Sequence, residues 1–460
     1  MMPQTQQTND FTQGKVSTAV LRMALPLTVA QAVNVLYNLV DRMYIGRLED
    51  SLAFTGLGLA LPAVALILAF ANLFGSGGAP MCSIDRGRGN LERASRVQGN
   101  AFVLLVGVGL LLTALGQVFL KPILYLLGAS EATYPYAAAY LRIYLLGTVF
   151  VMISLGMNSF INAQGFARIG MITVTLGAVL NLALDPLFIF ALDMGVRGAA
   201  IATVLSQGCS ALWVFLFLRG KKAILRLDRA SMRLDGALIR RMLALGLPGF
   251  VVSATNALVQ AVANIQLRRY GGDLYVGVMT ALTSVHEVVI MVIQGVTQGS
   301  QPVLGYNYGA GRNDRVIQGI RFITVVSVLY TLVVWALVML FPGTVIRLFN
   351  SQPELVRVGT AALRIYFAGF CFMSLQFVGQ SIFTGLGQAK QAICFSLLRK
   401  VVLVTVLMLI LPGLWGLGTD GVFLAEPISN LLGGLACYIT MYVTVWRPLK
   451  TPGARLPGRG

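Results

Sequence analysis

Long apolar runs, separated by short polar segments, recur along the whole chain. Three of the longest cover residues 101–115, 325–340 and 401–411. Runs of this kind predict helices that cross about 30 Å of hydrocarbon. A membrane β-barrel would show short segments of alternating hydrophobicity instead. The pattern therefore predicts an all-α integral membrane protein.

The positions of the runs and of the polar breaks between them predict twelve spans. Their expected bounds are 15–45, 52–80, 92–116, 132–157, 168–192, 197–218, 238–269, 274–302, 315–341, 354–382, 390–412 and 419–446.

Composition agrees with a membrane protein. The 460 residues are 57% hydrophobic and 11% charged, whereas soluble domains carry about 25% charged residues. A net charge of +18 could indicate nucleic-acid binding, but the basic residues lie between the apolar runs. Positively charged loops that face a cytoplasm explain them better, and we expect no nucleic-acid partner.

The distribution of lysine and arginine predicts the orientation. If the spans alternate in direction, 25 of the 35 basic residues fall on the side that holds both termini and the central loop, residues 219–237. Both termini and this loop should therefore face the cytoplasm.

The sequence contains an internal duplication with an offset of 222 residues. The segment Leu141-Arg142-Ile143-Tyr144 recurs as Leu363-Arg364-Ile365-Tyr366, and Leu25-Pro26 recurs as Leu247-Pro248. The duplication predicts two homologous six-helix lobes, residues 1–218 and 238–460, joined by the basic linker 219–237. Because six is even, the repeats are parallel, with their axis along the membrane normal. This arrangement suits a transporter whose substrate site lies between the halves.

Ionisable groups within membrane spans are candidate functional residues, because each costs about 2.5–3.5 kcal/mol on insertion scales. Asp41 continues a polar stripe on one face of the first span, formed by Gln31, Asn34 and Asn38. Asp185 lies in the fifth span, one turn after Asn181 and directly before Pro186. Proline frees a backbone carbonyl near the carboxylate.

The two acids predict an ion site rather than a structural feature. A helix cap or a side chain that reaches the interface is the alternative. Against it, the repeat-related positions hold Ala263 and Leu407, with no acid within two residues of either. Two neighbouring carboxylates in a dry site hold a proton more readily than one in water. Such a pair also suits Na⁺, so the coupling ion stays open between H⁺ and Na⁺.

A second set of polar groups lies in the eighth span. Glu287, Gln294 and the adaptable side chain of Met291 share a face there. Together with Asn34 and Asn38, they are candidates for a cavity that binds cationic, oily compounds. The alternative for Glu287 is a structural ion pair with Arg399 or Lys400. The chain's one histidine, His286, is expected to be a hydrogen-bonded packing residue rather than a metal ligand.

Several motifs resemble the multidrug and toxic compound extrusion (MATE) family, in particular its prokaryotic DinF-like branch. They comprise Leu25-Pro26, Asn38 to Asp41, Asn181 with Asp185-Pro186, and the most specific stretch, Gln298-Gly299-Ser300-Gln301-Pro302-Val303-Leu304-Gly305-Tyr306-Asn307-Tyr308-Gly309-Ala310.

This resemblance implies an antiporter that exports cationic amphipathic compounds in exchange for H⁺ or Na⁺, with no other cofactor. It places the cation site in the N-terminal lobe, at Asp41, Asp185 and Asn181, with Tyr140 and Thr203 as the best matches for its tyrosine and threonine. It also associates Pro26 with bending of the first helix. The expected location is the plasma (inner) membrane of a prokaryote, as a multi-pass monomer. No acid lies between Phe370 and Phe383, which disfavours the C-lobe cation site of other branches.

Two alternatives to drug export remain. A flippase for lipids or lipid-linked sugars would need several basic residues along its cavity, and here Arg399 and Lys400 are the main mid-helix cations. An intramembrane enzyme would need paired histidines or closely spaced acids. The sequence offers neither, so we expect no enzymatic activity.

Overall fold

The computed structural model describes residues 9–45, 51–127, 129–348, 353–414, 416–451 and 456. Within these ranges the chain forms helices and no β-strand. Ten helices are long and apolar enough to cross a membrane, and two bent helix pairs raise the number of candidate spans to twelve. The predicted all-α class and the twelve spans are confirmed.

The first compact unit consists of Val29–Phe250 together with Met1–Asp10. The helices of this half of the sequence are α1 (Val16–Ile45), α2 (Ser51–Gly87), α3 (Leu91–Val118), α4 (Leu120–Leu126), α5 (Tyr134–Leu146), α6 (Thr148–Ala163), α7 (Ala167–Pro186) and α8 (Gly195–Arg219).

The second compact unit consists of Phe11–Thr28 and Val251–Gly460. The helices of this half are α9 (Gly236–Gly271), α10 (Asp273–Gly309), α11 (Asn313–Leu340), α12 (Pro342–Arg347), α13 (Pro353–Phe367), α14 (Phe370–Gly385), α15 (Ala389–Leu397), α16 (Val406–Ile410), α17 (Thr419–Met441) and α18 (Arg447–Leu449). A π-helical segment, Leu398–Thr405, joins α15 to α16.

Two predicted spans are bent rather than straight. The fourth consists of α5 and α6, which meet at an angle of 55°, and the tenth consists of α13 and α14, which meet at 46°. Gly147 lies at the first bend and Gly369, 222 residues later, at or beside the second. A Cβ on Gly369 would lie 2.5 Å from the carbonyl oxygen of Pro427. The bend therefore brings two backbones close together in a way that only glycine permits.

Repeat-related positions adopt the same backbone structure. Gly165 and Gly387, predicted as counterparts, have φ angles of +89° and +77°. Arg93 lies 3.5 Å from the Asp85 carboxylate, and their counterparts Arg315 and Asn307 form a hydrogen bond of 3.0 Å. The duplication thus extends from the sequence to local structure.

The compact units differ from the sequence repeats in the first halves of α1 and α9. Residues 11–28 pack within the second unit, where a Cβ on Gly299 of α10 would lie 2.6 Å from Cα of Ala24. Residues 236–250 pack within the first unit, where a Cβ on Gly77 of α2 would collide with the carbonyl oxygen of Met242. Small residues allow such close backbone crossings between membrane helices. Pro26 and Pro248 lie inside α1 and α9, two residues before each helix passes to the other unit.

Candidate functional site

The first unit contains a buried polar cluster formed by Asn181 and Asp185 of α7 and Thr203 of α8. The Asn181 amide donates to Asp185 Oδ1 at 3.2 Å and to Thr203 Oγ1 at 3.3 Å. The Thr203 hydroxyl donates in turn to the carbonyl of Ala199 at 2.9 Å. Asp185 is 0% exposed and Asn181 is 2% exposed. The structure therefore brings together three of the five residues predicted for the cation site.

Local sequence explains the position of Asp185. The spacing of four residues puts Asn181 and Asp185 on one face of α7. Pro186 follows directly and has no N–H to continue the helical ladder. At this point α7 ends and the chain continues as a π-helical segment, Leu187–Ala191. Such segments occur frequently at functional sites.

The cluster offers oxygen ligands to a small cation. It contains one carboxylate, one hydroxyl and the Asn181 amide oxygen, which is buried and has no hydrogen-bond partner within the described ranges. Buried polar atoms nearly always have a partner. An amide oxygen left in this position, beside a carboxylate, is suited to a cation such as Na⁺ or to a hydronium or proton-carrying water.

The other two predicted members lie nearby or outside the description. Tyr140 is buried on α5, which packs against α8, and its ring stacks on Tyr144 at 5.8 Å. Asp41 lies on the helical backbone of α1, but its side chain and that of Asn38 lie outside the described residues. Their membership of the site stays a prediction.

The predicted cavity residues differ in exposure. Asn34 and Glu287 are exposed, whereas Met291 and Gln294 are partly buried. Within the described ranges, Glu287 forms no ion pair, and Arg399 pairs with a different acid. The alternative that Glu287 forms a structural pair with Arg399 is therefore wrong.

That other acid is Glu426 of α17, which sequence reasoning missed. Nη2 of Arg399 lies 2.7 Å from Glu426 Oε1 and 2.6 Å from Asn430 Oδ1, and all three residues are buried. Glu426 stands in an apolar run directly before Pro427, the same acid-proline pattern that drew attention to Asp185. This pattern could have identified it.

His286 packs among aromatic rings of α13 and α14. Its ring centroid lies 6.0 Å from that of Tyr366 and 6.3 Å from those of Phe367 and Phe370. Its Nδ1 atom is buried without a hydrogen-bond partner in the described part of the chain. The packing role is as predicted, but the expected hydrogen bond is not made at this nitrogen.

Comparison with protein families decides the assignment. The model described as MatE matches residues 26–187 and again residues 248–410. The two matches begin 222 residues apart, the offset of the duplicated motifs. The chain belongs to the MatE family. As a MatE protein it is a multi-pass membrane transporter, in agreement with the motif resemblance.

Curated MatE relatives come from staphylococci. The multidrug export protein MepA of Staphylococcus haemolyticus is 26% identical over 410 residues, covering 88% of this chain and 89% of the relative. MepA of Staphylococcus aureus strain NCTC 8325 is 25% identical over 443 residues, covering 94% and 95%.

Solved MatE structures share the fold. A transporter of the MOP superfamily from Pyrococcus furiosus aligns with a TM-score of 0.90 at 23% identity, covering 98% of this chain and all of that one. A MATE transporter in a straight conformation also aligns with a TM-score of 0.90 at 23% identity, over 98% of this chain. At this level of identity the similarity shows the fold alone.

Proposed function

We propose that this MatE protein is a multidrug antiporter that exports cationic amphipathic compounds in exchange for H⁺ or Na⁺ by alternating access. The observation that carries the proposal is the buried cluster of Asn181, Asp185 and Thr203. A transporter driven by an ion needs a place within the membrane where that ion binds and leaves.

The chemistry of the cluster favours a cation. A carboxylate that is 0% exposed pays a large desolvation cost unless a proton, a metal ion or a basic group neutralises it. Asp41 is the second carboxylate of the proposed site, with Tyr140 at its edge. Carboxylate, amide and hydroxyl oxygens suit both H⁺ and Na⁺, so the proposal includes both ions.

The relatives support drug export as the activity. MepA, the multidrug export protein of staphylococci, aligns over nearly its whole length. In this chain Glu287 is an exposed acid without an ion pair in the described ranges, and it is available to a cationic substrate. Asn34, Met291 and Gln294 would complete a surface of mixed polarity.

A flippase for anionic lipids is less well supported. Arg399, the main buried cation of the second unit, is neutralised by Glu426 at 2.7 Å and so offers little charge to a phosphate. The proposal places the protein in the bacterial plasma membrane as a monomer, with both termini in the cytoplasm.

Proteoliposomes loaded with a cationic dye test the proposal. A pH gradient and a Na⁺ gradient are imposed separately, and dye movement is followed by fluorescence. We expect one gradient to drive transport by the normal protein and not by Asp185→Asn. Asp420→Asn, which changes an exposed acid at the start of α17, is the matched control and should transport normally. Transport by Asp185→Asn at the normal rate would overturn the proposed site.

A further inference from the structure

The linker between the two repeats is fixed to the first unit rather than loose. The Leu225 amide donates to Gln164 Oε1 at 2.9 Å, and Gln98 Nε2 donates to the Leu225 carbonyl at 3.2 Å. Gln164 and Gln98 also bind each other at 2.9 Å. All three residues are buried, because Leu225 is 1% exposed and both glutamines are 0% exposed. This closed ring of hydrogen bonds holds the middle of the linker in one position.

The end of the linker is held in the same way. Asn100 of α3 donates to the Arg233 carbonyl and accepts from the Asp235 amide, each at 2.8 Å. A Cβ on the neighbouring Gly99 would collide with the backbone of Ser231. The linker backbone therefore lies directly on the start of α3.

Basic side chains project from this fixed backbone. The apolar side chains of Ala223, Leu225 and Leu227 are buried. The exposed basic residues, which have no ion pair within the described ranges, are Lys221, Lys222, Arg226, Arg229 and Arg233. We call these five residues the linker platform.

The acids of the linker do not neutralise this charge. Asp228 Oδ1 accepts from the Ser231 amide at 2.8 Å. Asp235 Oδ1 accepts from the amides of Ala237 and Leu238, at 2.9 and 3.3 Å, and so caps the start of α9. Both carboxylates are bonded to nearby backbone groups, and the platform keeps an excess of positive charge.

The platform lies at the ends of membrane helices. The linker follows Arg219, the last residue of α8, and precedes Gly236, the first of α9, and both helices are candidate spans. The Leu227 amide returns to the Leu218 carbonyl at 3.0 Å, which keeps the linker beside the end of α8. Leu234, 59% exposed, adds an apolar side chain among the basic ones. Basic residues with an exposed apolar side chain are typical of segments that bind membrane surfaces.

We propose that the linker platform is a binding site for the phosphate headgroups of anionic phospholipids in the leaflet that the linker faces. Basic residues near a membrane surface attract anionic lipids, and the attraction weakens with salt. Because the backbone is already fixed, binding orders only side chains and loses less entropy than binding to a loose loop. This role is independent of the transported compound and of the coupling ion.

The test uses the full-length protein in neutral detergent. Dioleoylphosphatidylglycerol is titrated, and the bound lipid is counted by native mass spectrometry, with dioleoylphosphatidylcholine as the neutral lipid. The platform variant carries Lys221→Gln, Lys222→Gln, Arg226→Gln and Arg229→Gln. The control variant loses the same charge at exposed positions elsewhere through Lys15→Gln, Arg312→Gln, Lys390→Gln and Lys450→Gln.

We expect the platform variant to bind phosphatidylglycerol at least about tenfold more weakly than the control variant, with a weaker dependence on salt. Phosphatidylcholine binding should be equal in all proteins. Equal phosphatidylglycerol binding by the two variants would overturn the proposal. Displacement of the lipid by an equal concentration of inorganic phosphate would overturn the assignment to a lipid. If the platform variant does not fold, the normal protein decides, because phosphatidylglycerol binding that persists in 1 M salt, where the Debye length is about 3 Å, contradicts an electrostatic site.

Discussion

Arg399 and Glu426 form a buried ion pair, with Nη2 of the arginine 2.7 Å from Oε1 of the glutamate. Asn430 accepts a further hydrogen bond from the same nitrogen at 2.6 Å. The pair joins the π-helical segment Leu398–Thr405 to α17. Both charges have left water, so each depends on the other for its stability in the second unit.

Removal of one partner of this pair should destabilise the protein strongly. Glu426→Leu leaves the Arg399 guanidinium buried without its acid, and such changes cost about 3–5 kcal/mol. The double variant Arg399→Met with Glu426→Leu should recover most of this loss, because no unpaired charge remains. Thermal unfolding in detergent measures all three proteins. A single variant as stable as the normal protein would show that the pair contributes little.

A side chain at Gly299 should disturb the crossing of α1 and α10. Its Cβ would lie 2.6 Å from Cα of Ala24, and overpacking of this kind costs about 1–3 kcal/mol. Gly299→Ala should therefore lower the melting temperature. Gly107→Ala is the control, since no heavy atom lies within 4 Å of the added carbon, and it should be neutral or slightly stabilising. Equal melting temperatures for the two variants would contradict the close crossing.

Loss of the Gln164 side-chain oxygen should loosen the linker. Gln164→Leu leaves the Leu225 amide buried without an acceptor, at a cost of about 1–3 kcal/mol. Trypsin should then cleave after the exposed Lys221, Lys222 or Arg226 at least about fivefold faster. Gln117→Leu serves as the control, because its amide bonds to the Arg142 carbonyl, far along the chain from the linker. Unchanged cleavage in Gln164→Leu would mean that the ring does not restrain the linker.

Thr203→Val should weaken binding of the coupling ion without abolishing transport. The change keeps the size of the side chain but removes the hydroxyl that accepts from Asn181 at 3.3 Å. A hydrogen bond of this kind is worth about 1 kcal/mol, so the ion concentration for half-maximal transport should rise about fivefold. The control Thr173→Val removes a buried hydroxyl of α7 that bonds to its own helix and should leave the ion dependence unchanged. The same shift in both variants would indicate a general effect on packing.

Much of the fold follows from the apolar pattern, because each span is a long run with polar ends. The pattern gave α3 as 92–116 against the observed Leu91–Val118. It did not give the extension of α2 to Gly87 or of α10 to Gly309, because these turns leave the hydrocarbon and carry polar residues. The bend after α5 was also missed, since Gly147 alone does not end a helix. Its recurrence as Gly369, after the repeated Leu-Arg-Ile-Tyr motif, was the available signal.

The candidate site was predictable where its residues lie close in sequence. Asn181 and Asp185 are one helical turn apart, so periodicity places them together. Thr203 came from family resemblance, because nothing in the sequence says which face of α8 meets α7. The pairing of Arg399 with Glu426 depends on the packing of two helices, and sequence spacing does not determine it.

Ion movement driven by the transported compound tests the central claim most directly. Proteoliposomes without any ion gradient carry one indicator for internal pH and one for internal Na⁺, and a cationic dye is added on one side. If the protein is an antiporter, dye movement should drive H⁺ or Na⁺ in the opposite direction, and Asp185→Asn should abolish this ion flux. Dye that crosses the membrane through the normal protein while neither ion moves would contradict ion-coupled export.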